Sequence, residues 1–299
     1  MTVSWRGVIP AMTTAFHDDL TLDHEGVARH AAWLVEHGCT GVVALGSLGE
    51  GATLTEAEKR AILETCVRAV GQNGAVIAGI SALSTAEAVR LARMAADLGC
   101  QGLMVLPPYV YSTDWREMKA HVAAVVRATP LSCMLYNNPI AYKTDFLPEQ
   151  IAELAGDHAN LHAVKESSAD VRRVTALKAL LGERLQILVG VDDLIVEGVA
   201  AGAVGWIAGL VNAFPRESVV LFEAARRGDH AQARELYEWF LPLLRMDTVP
   251  KFVQLIKLAQ SAVGRGNPRV RPPRLELEGQ ELKQARAVIE KALATRLRV

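Results

Sequence analysis

The chain has 299 residues, 51% of them apolar and 22% charged, which excludes a disordered protein and favours a globular one with a full core. A formal net charge of -1 gives no basic field for nucleic acid, so we expect no nucleic-acid partner. The opening MTVSWRGVIP lacks the apolar segment of a secretory signal, and no later apolar run reaches membrane-spanning length, so we expect a cytoplasmic protein with no membrane partner.

Eight short apolar runs alternate with longer, alanine-rich segments of helical period. The runs are GVIPAMTT at the start, GVVAL at 41–45, AVIAGI at 75–80, GLMVL at 102–106, SCMLY at 132–136, LHAVK at 161–165, QILVG at 186–190 and GWIAG at 205–209. This alternation predicts a parallel α/β architecture. Eight units favour a closed (β/α)8 TIM barrel over an open doubly wound sheet.

A short internal repeat supports the count of strands. GCTGVVAL at 38–45, GCQGLMVL at 99–106 and GAVGWIAG at 202–209 each contain a glycine that ends a helix, a second glycine three residues later, and an apolar strand. Thr55 and Glu58 have the spacing of a capping box at the start of a helix.

After the eighth run only helical periods remain, from about residue 216 to residue 299. The first of these segments, ESVVLFEAARRG, is assigned to the eighth helix of the barrel. We therefore predict a catalytic (β/α)8 barrel over residues 1–225 and a C-terminal helical extension over residues 226–299. We expect a structural or interface role for this extension rather than a chemical one.

No motif for a metal or an organic cofactor emerges from the sequence. The four cysteines form no CxxC pair and are expected to be reduced core residues. Asp192 and Asp193 are adjacent in a turn, but no further ligand has matching spacing. No GxGxxG follows the first strand, and GSLGEG lacks the lysine and hydroxyl of a phosphate loop. We predict no metal and no cofactor.

The stretch LHAVKESS, residues 161–168, places Lys165 at the end of a buried strand. Burial disfavours the ammonium form, and a neutral amine is the nucleophile that attacks a carbonyl carbon. At the ordinary pKa of about 10.4, roughly one lysine in 2,500 is neutral at pH 7. Two structural alternatives stay open, in which Lys165 extends out to solvent or pairs with Glu166.

In a TIM barrel the carboxyl ends of the strands form the active site, so residues at those ends are expected to converge. Ser47 follows the second strand, Tyr136 ends the fifth and Lys165 ends the sixth. Taken singly, the serine turn and the tyrosine are typical of ordinary loops and cores. Together with the lysine they predict imine chemistry, in which the amine attacks a ketone and a hydroxyl carries protons.

Six motifs follow one another along the chain: GSLGE, YNNP, VKESS, GVDD, GAVGWIAGLVNAFP and RPP. In their order and spacing, and over essentially the whole chain, they resemble the dihydrodipicolinate synthase and N-acetylneuraminate lyase superfamily of Schiff-base aldolases. The resemblance implies a (β/α)8 barrel with a C-terminal helical region, no cofactor, and a homotetramer built as a dimer of dimers.

The resemblance also implies roles for individual residues. Lys165 is the Schiff-base lysine, Tyr136 the proton-relay hydroxyl, and Ser47 the hydroxyl that partners this tyrosine and binds the substrate carboxylate. The backbone of Leu48 assists in carboxylate binding, and Gly190 and Ile207 line the imine with backbone groups.

The sequence departs from the lysine-biosynthetic members at three places. Those members have two adjacent threonines in the turn, a second tyrosine after the fourth strand that completes a relay across the subunit interface, and an arginine after the YNxP proline. Here Leu48 occupies the turn, Val110 the second-tyrosine position, and residues 140–143 contain no arginine. Tyr111 and Lys143 are candidates to replace the missing hydroxyl and anion contact, and a solvated loop lysine is the alternative for Lys143.

We therefore predict a class I lyase or aldolase that acts on pyruvate or a related 2-oxo acid together with an aldehyde, and not the lysine-biosynthetic enzyme. One alternative is a catabolic hydratase-aldolase or 2-oxo acid dehydratase or deaminase. A second alternative is a non-catalytic barrel that binds a small acid.

Overall fold

A computed structural model describes residues 3–108, 110 and 114–298. Its strands are β1 (Gly7–Pro10), β2 (Gly41–Ala44), β3 (Ala75–Ile80), β4 (Gly102–Val105), β5 (Ser132–Asn137), β6 (Leu161–Glu166), β7 (Gln186–Val189) and β8 (Gly205–Ala208). Its helices are α1 (His24–Glu36), α2 (Glu56–Val70), α3 (Thr85–Asp97), α4 (Trp115–Arg127), α5 (Pro139–Tyr142), α6 (Pro148–Asp157), α7 (Arg172–Leu181), α8 (Ile195–Ala200), α9 (Pro215–Arg227), α10 (His230–Leu244), α11 (Phe252–Ala262) and α12 (Gly279–Ala294).

All eight strands are parallel and follow the order β1-β8-β7-β6-β5-β4-β3-β2. A parallel bridge between Ala11 and Val43 joins β1 to β2, and the Met12 amide donates to the Val43 carbonyl at 2.9 Å. The sheet thus closes on itself, and the predicted TIM barrel is confirmed. Every predicted strand forms, and β5 and β6 each extend one residue beyond the predicted end.

The repeated glycines act as the sequence predicts. Gly38, Gly99 and Gly202 have φ values of +95°, +84° and +107°, in the left-handed region that lets a helix end and the chain turn back to the sheet. The capping box of Thr55 and Glu58 is also confirmed, because each side chain accepts a hydrogen bond from the backbone of the other.

Helix α9 follows β8 as the eighth barrel helix, and α10 to α12 complete the chain. Lys257 of α11 reaches back to the turn after β2 and donates to Glu50 at 2.6 Å. Helices α10 and α12 pack together, with the Trp239 indole donating to the Ala292 carbonyl at 3.2 Å. We keep the division at residues 225 and 226 as a proposal. Within the described part of the chain, no helix is both long and apolar enough to cross a membrane.

Candidate active site

Lys165 lies at the carboxyl end of β6, with only 6% of its surface exposed. Its Nζ atom stands 4.2 Å from the centre of the Tyr136 ring, which occupies the neighbouring register position on β5. Burial lowers the pKa of Lys165 to about 8, while the carboxylates of Asp247 and Asp192 oppose this shift. About one amine in ten is neutral at pH 7 with such a pKa, roughly 250 times the ordinary fraction.

Neither structural alternative for Lys165 matches these contacts. The side chain does not extend to solvent, because it is buried. The Glu166 carboxylate is engaged elsewhere: it accepts from the Ser168 amide at 2.7 Å and from the Asn137 side chain at 3.1 Å. Lys165 is thus left facing the barrel mouth beside Tyr136.

Tyr136 is also buried, and its hydroxyl accepts a hydrogen bond from Asn138 Nδ2 at 2.9 Å. Burial raises the pKa of Tyr136 to about 12, and the nearby Asp247 adds to this effect. The hydrogen bond from Asn138 acts in the opposite direction on this pKa, as do the polar side chains of Ser167 and Tyr142. A phenol in this state keeps its proton and can donate it to a developing oxyanion.

Ser47 lies in the turn after β2 and is half-buried. Its hydroxyl forms a hydrogen bond with the hydroxyl of Tyr142, at the end of the short helix α5. The rings of Tyr136 and Tyr142 meet edge to face, with centroids 5.7 Å apart. Ser47, Tyr142 and Tyr136 therefore form one cluster of hydroxyls beside Lys165.

Of the predicted lining residues, Gly190 directly follows β7 and Ile207 lies on β8. A Cβ atom on Gly190 would lie 1.9 Å from Ser167 Oγ and 2.5 Å from Lys165 Cε, so a side chain there would collide with the lysine. Ile207 pairs with Ile9 of β1, whereas the pairing of β7 with β8 ends one residue earlier, at Trp206.

Two acids that the sequence analysis did not assign to the site stand near the lysine. Asp192 is fully buried and accepts from the Trp206 indole, from the Gly209 amide and, at 2.8 Å, from the Leu210 amide. Burial raises its pKa to about 6. Asp247 packs on the backbone of Gly209. The pKa of Asp247 is raised well above the ordinary value, mainly by burial and secondly by the charge of Asp192.

Buried contacts of Glu50 hold the turn that carries Ser47 in place. This residue adopts a left-handed conformation, with φ of +55°, and its carboxylate is fully buried. The carboxylate accepts from Lys257 Nζ at 2.6 Å and from the Arg271 amide at 2.9 Å. The GSLGE turn and the RPP segment, far apart in sequence, therefore meet at one buried ion pair.

The other residues named from the sequence are not members of the hydroxyl cluster of Ser47, Tyr142 and Tyr136. Leu48 is buried as an apolar side chain, and its role in carboxylate binding stays a prediction. Val110 is 47% exposed, and Tyr111 lies outside the described residues. Lys143 is exposed, where its left-handed backbone ends helix α5. Among residues 3–108, 110 and 114–298, no group of three or more His, Cys, Asp or Glu side chains could hold a metal ion.

A sequence profile of the dihydrodipicolinate synthetase family matches residues 4–292. The chain belongs to this family. A 4-hydroxy-tetrahydrodipicolinate synthase of Chelativorans sp. (strain BNC1) is 33% identical over 96% of this chain and 98% of that protein. A protein of Saccharopolyspora erythraea, named as a probable 5-dehydro-4-deoxyglucarate dehydratase, is also 33% identical, over 97% of this chain and 94% of its own length.

Solved structures of family members superpose along almost the whole chain. YagE of Escherichia coli K12, a prophage protein of the family solved in complex with pyruvate, has a TM-score of 0.91 and 27% identity, and 97% of this chain and 99% of YagE are covered. Family membership supports an enzyme of the lyase or aldolase class. The relatives carry names for different reactions, so membership alone does not select the substrate.

Proposed function

We propose that the protein is a class I lyase or aldolase that forms an imine between Lys165 and pyruvate or a related 2-oxo acid. The observation that carries this proposal is the buried Lys165 amine, 4.2 Å from the Tyr136 ring and with a pKa lowered to about 8. A binding protein gains nothing from an amine kept in this state, whereas a nucleophile requires it.

In the proposed reaction the neutral Lys165 amine attacks C2 of the oxo acid, and the former carbonyl oxygen takes protons and leaves as water. In this scheme Tyr136 supplies protons, because its raised pKa keeps the hydroxyl protonated and its ring lies 4.2 Å from Lys165 Nζ. The protonated imine withdraws electrons from C3, so that a C3 proton is lost and an enamine forms. The enamine adds to an aldehyde, or arises from the reverse cleavage.

The second candidate is a 2-oxo acid dehydratase that uses the same lysine. It is favoured by the relative named as a dehydratase, at 33% identity over 97% of the chain. The lack of arginine in residues 140–143 further argues against the lysine-biosynthetic reaction. Turnover with a panel of aldehydes and of hydroxylated 2-oxo acids separates the two candidates, because a dehydratase releases water without needing an acceptor.

The test is reductive trapping. The protein is incubated with pyruvate and borohydride, and intact and peptide masses are read for a reduced adduct. We expect one adduct per chain on the peptide that contains Lys165. Lys165→Ala should abolish the adduct, and Lys251→Ala, at an exposed lysine, should leave it unchanged.

A different 2-oxo acid is the substrate if pyruvate gives no adduct while another member of a broad panel does. Failure of the whole panel contradicts the proposed function and leaves the small-acid-binding barrel. An adduct that persists in Lys165→Ala contradicts the assignment of the nucleophile.

We also propose a homotetramer in solution. The segments that follow β3, β4 and β5 each expose a large apolar side chain, Leu83, Val110 and Ile140, at 66%, 47% and 56%. Exposed apolar side chains that lie close together are typical of association surfaces. Sedimentation velocity measures the assembly, and a stable monomer at micromolar concentration would contradict it.

A further inference from the structure

We infer that Tyr142 is a positioning residue that links Tyr136 to Ser47, so that a single protomer carries a continuous path of hydroxyls from the imine site to the turn after β2. This inference rests on the proposed function and adds a residue to its machinery. It also explains how the chain can function with valine at position 110, where the resemblance expects a second tyrosine.

The contacts of Tyr142 join both ends of the path. Its hydroxyl is hydrogen-bonded to Ser47 Oγ. Its ring stands edge to face against Tyr136 at a centroid separation of 5.7 Å and an interplanar angle of 88°. The polar side chain of Tyr142 also lowers the pKa of Tyr136, against the larger effect of burial.

The local sequence explains why Tyr142 returns to the site. Asn138 caps the single turn of α5 by accepting from the Ala141 amide at 3.0 Å, and Pro139 fixes the first helical φ. The Tyr142 amide donates to the Asn138 carbonyl at 3.0 Å, which brings residue 142 back over residue 138. Asn138 Nδ2 meanwhile donates to the Tyr136 hydroxyl. One asparagine therefore orients both tyrosines.

The path has a defined task in the proposed reaction. Amine plus ketone plus one proton gives a protonated imine plus water, so each imine formed takes one proton from solvent. Tyr136 delivers protons to the carbinolamine oxygen and must be reprotonated. Tyr142 can pass a proton to Tyr136 and regain one from Ser47; both Tyr142 and Ser47 are half-buried, whereas Tyr136 is buried. Without such a neighbour, Tyr136 would remain a buried phenolate after it had given up its proton, and a buried, unpaired charge is unfavourable.

The test follows exchange of the pyruvate methyl protons in D2O by NMR, a reaction that needs the imine and enamine but no second substrate. We expect Tyr142→Phe to slow exchange by about 10- to 100-fold. The pyruvate concentration that gives the half-maximal exchange rate should stay within about threefold of the wild-type value. The final yield of borohydride adduct should equal that of the wild type. Tyr237→Phe is the matched control, because its hydroxyl bonds the Asp193 carbonyl outside this path.

Ser47→Ala supplies an independent variant, and thermal melting verifies that each protein is folded. If the residues act in series, the double variant Ser47→Ala/Tyr142→Phe should be no slower than the slower single variant. The inference about Tyr142 is overturned if Tyr142→Phe exchanges the methyl protons at a rate within about twofold of the wild type, or if the losses of rate in the double variant are additive. Either result leaves the proposed function standing. A wild-type protein that forms no adduct with any 2-oxo acid overturns the proposed function and this inference together.

Discussion

Gly190 is the residue that leaves room for the Lys165 side chain. Because a Cβ atom would stand 2.5 Å from Lys165 Cε, Gly190→Ala must displace the lysine or the strand end. We expect the rate of adduct formation with pyruvate to fall by about 100-fold, since even small misplacement of a reacting group is costly. Trapping at fixed times with borohydride measures this rate.

Gly156→Ala provides the control for that change. Gly156 lies in α6, where an added Cβ atom would meet nothing within 4 Å. We expect unchanged adduct formation and a gain in unfolding free energy of about 0.5–1 kcal/mol, because alanine restricts the unfolded chain. Equal losses of rate in both variants would refute a specific role for Gly190.

The pH dependence of imine formation follows from the pKa of Lys165. The pKa is lowered to about 8, so the neutral fraction falls about tenfold for each unit below that pH. We expect the rate of adduct formation to rise steeply from pH 6 and to level off above about pH 8. A rate that still rises in proportion to hydroxide above pH 9 would indicate an ordinary lysine.

Asp247 should set the position of this profile. After burial, its charge is the largest influence on the Lys165 amine, and it favours the protonated form. Asp247→Asn removes that influence, so we expect the midpoint of the profile to move to lower pH. Asp229→Asn is the matched control, because Asp229 caps α10, and asparagine is an equally good cap. An unshifted midpoint in Asp247→Asn would show that the carboxylate does not act on the amine.

Lys165 and Tyr136 could be predicted from sequence because each is a polar residue at the end of an apolar run, a position that the strand period fixes. Tyr142 was missed because its position depends on the single turn of α5, which no periodicity in the sequence predicts. Asp247 was missed because it reaches the barrel mouth from the segment after α10, and no periodicity reports such a long-range contact.

At the scale of elements, the ion pair of Glu50 and Lys257 holds the turn after β2 against helix α11. Both charges are buried, with side-chain exposures of 0% and 3%. Lys257→Met removes one partner and leaves a buried carboxylate without its cation. We expect a loss of about 3–5 kcal/mol in the unfolding free energy, measured by urea denaturation.

Lys251→Met tests the same substitution on an exposed pair. Lys251 is paired with Glu281, and about half of each side chain is exposed. Its loss should cost less than about 1 kcal/mol, because water screens the interaction. Similar small losses in both variants would mean that the buried pair contributes little to the fold.

For the whole molecule, the number of strands sufficed to predict the barrel. Alternating apolar runs and helical segments determine parallel strands, and eight of them close with the bridge between Ala11 and Val43. The substrate could not be predicted in the same way. Groups such as Asp247 and Tyr142 come from distant parts of the sequence, and only the folded chain brings them near Lys165 and Tyr136.

The buried contacts of Glu50 also govern how this protein can be recombined with its relatives. A chimera that takes its first half from one family member and its last hundred residues from another inherits position 50 and positions 257 and 271 from different parents. If the residues at these positions do not form an ion pair, a buried charge is left without a partner next to the turn that carries Ser47. Libraries that keep these three positions from one parent should therefore yield more folded, active members than libraries that cross over between them.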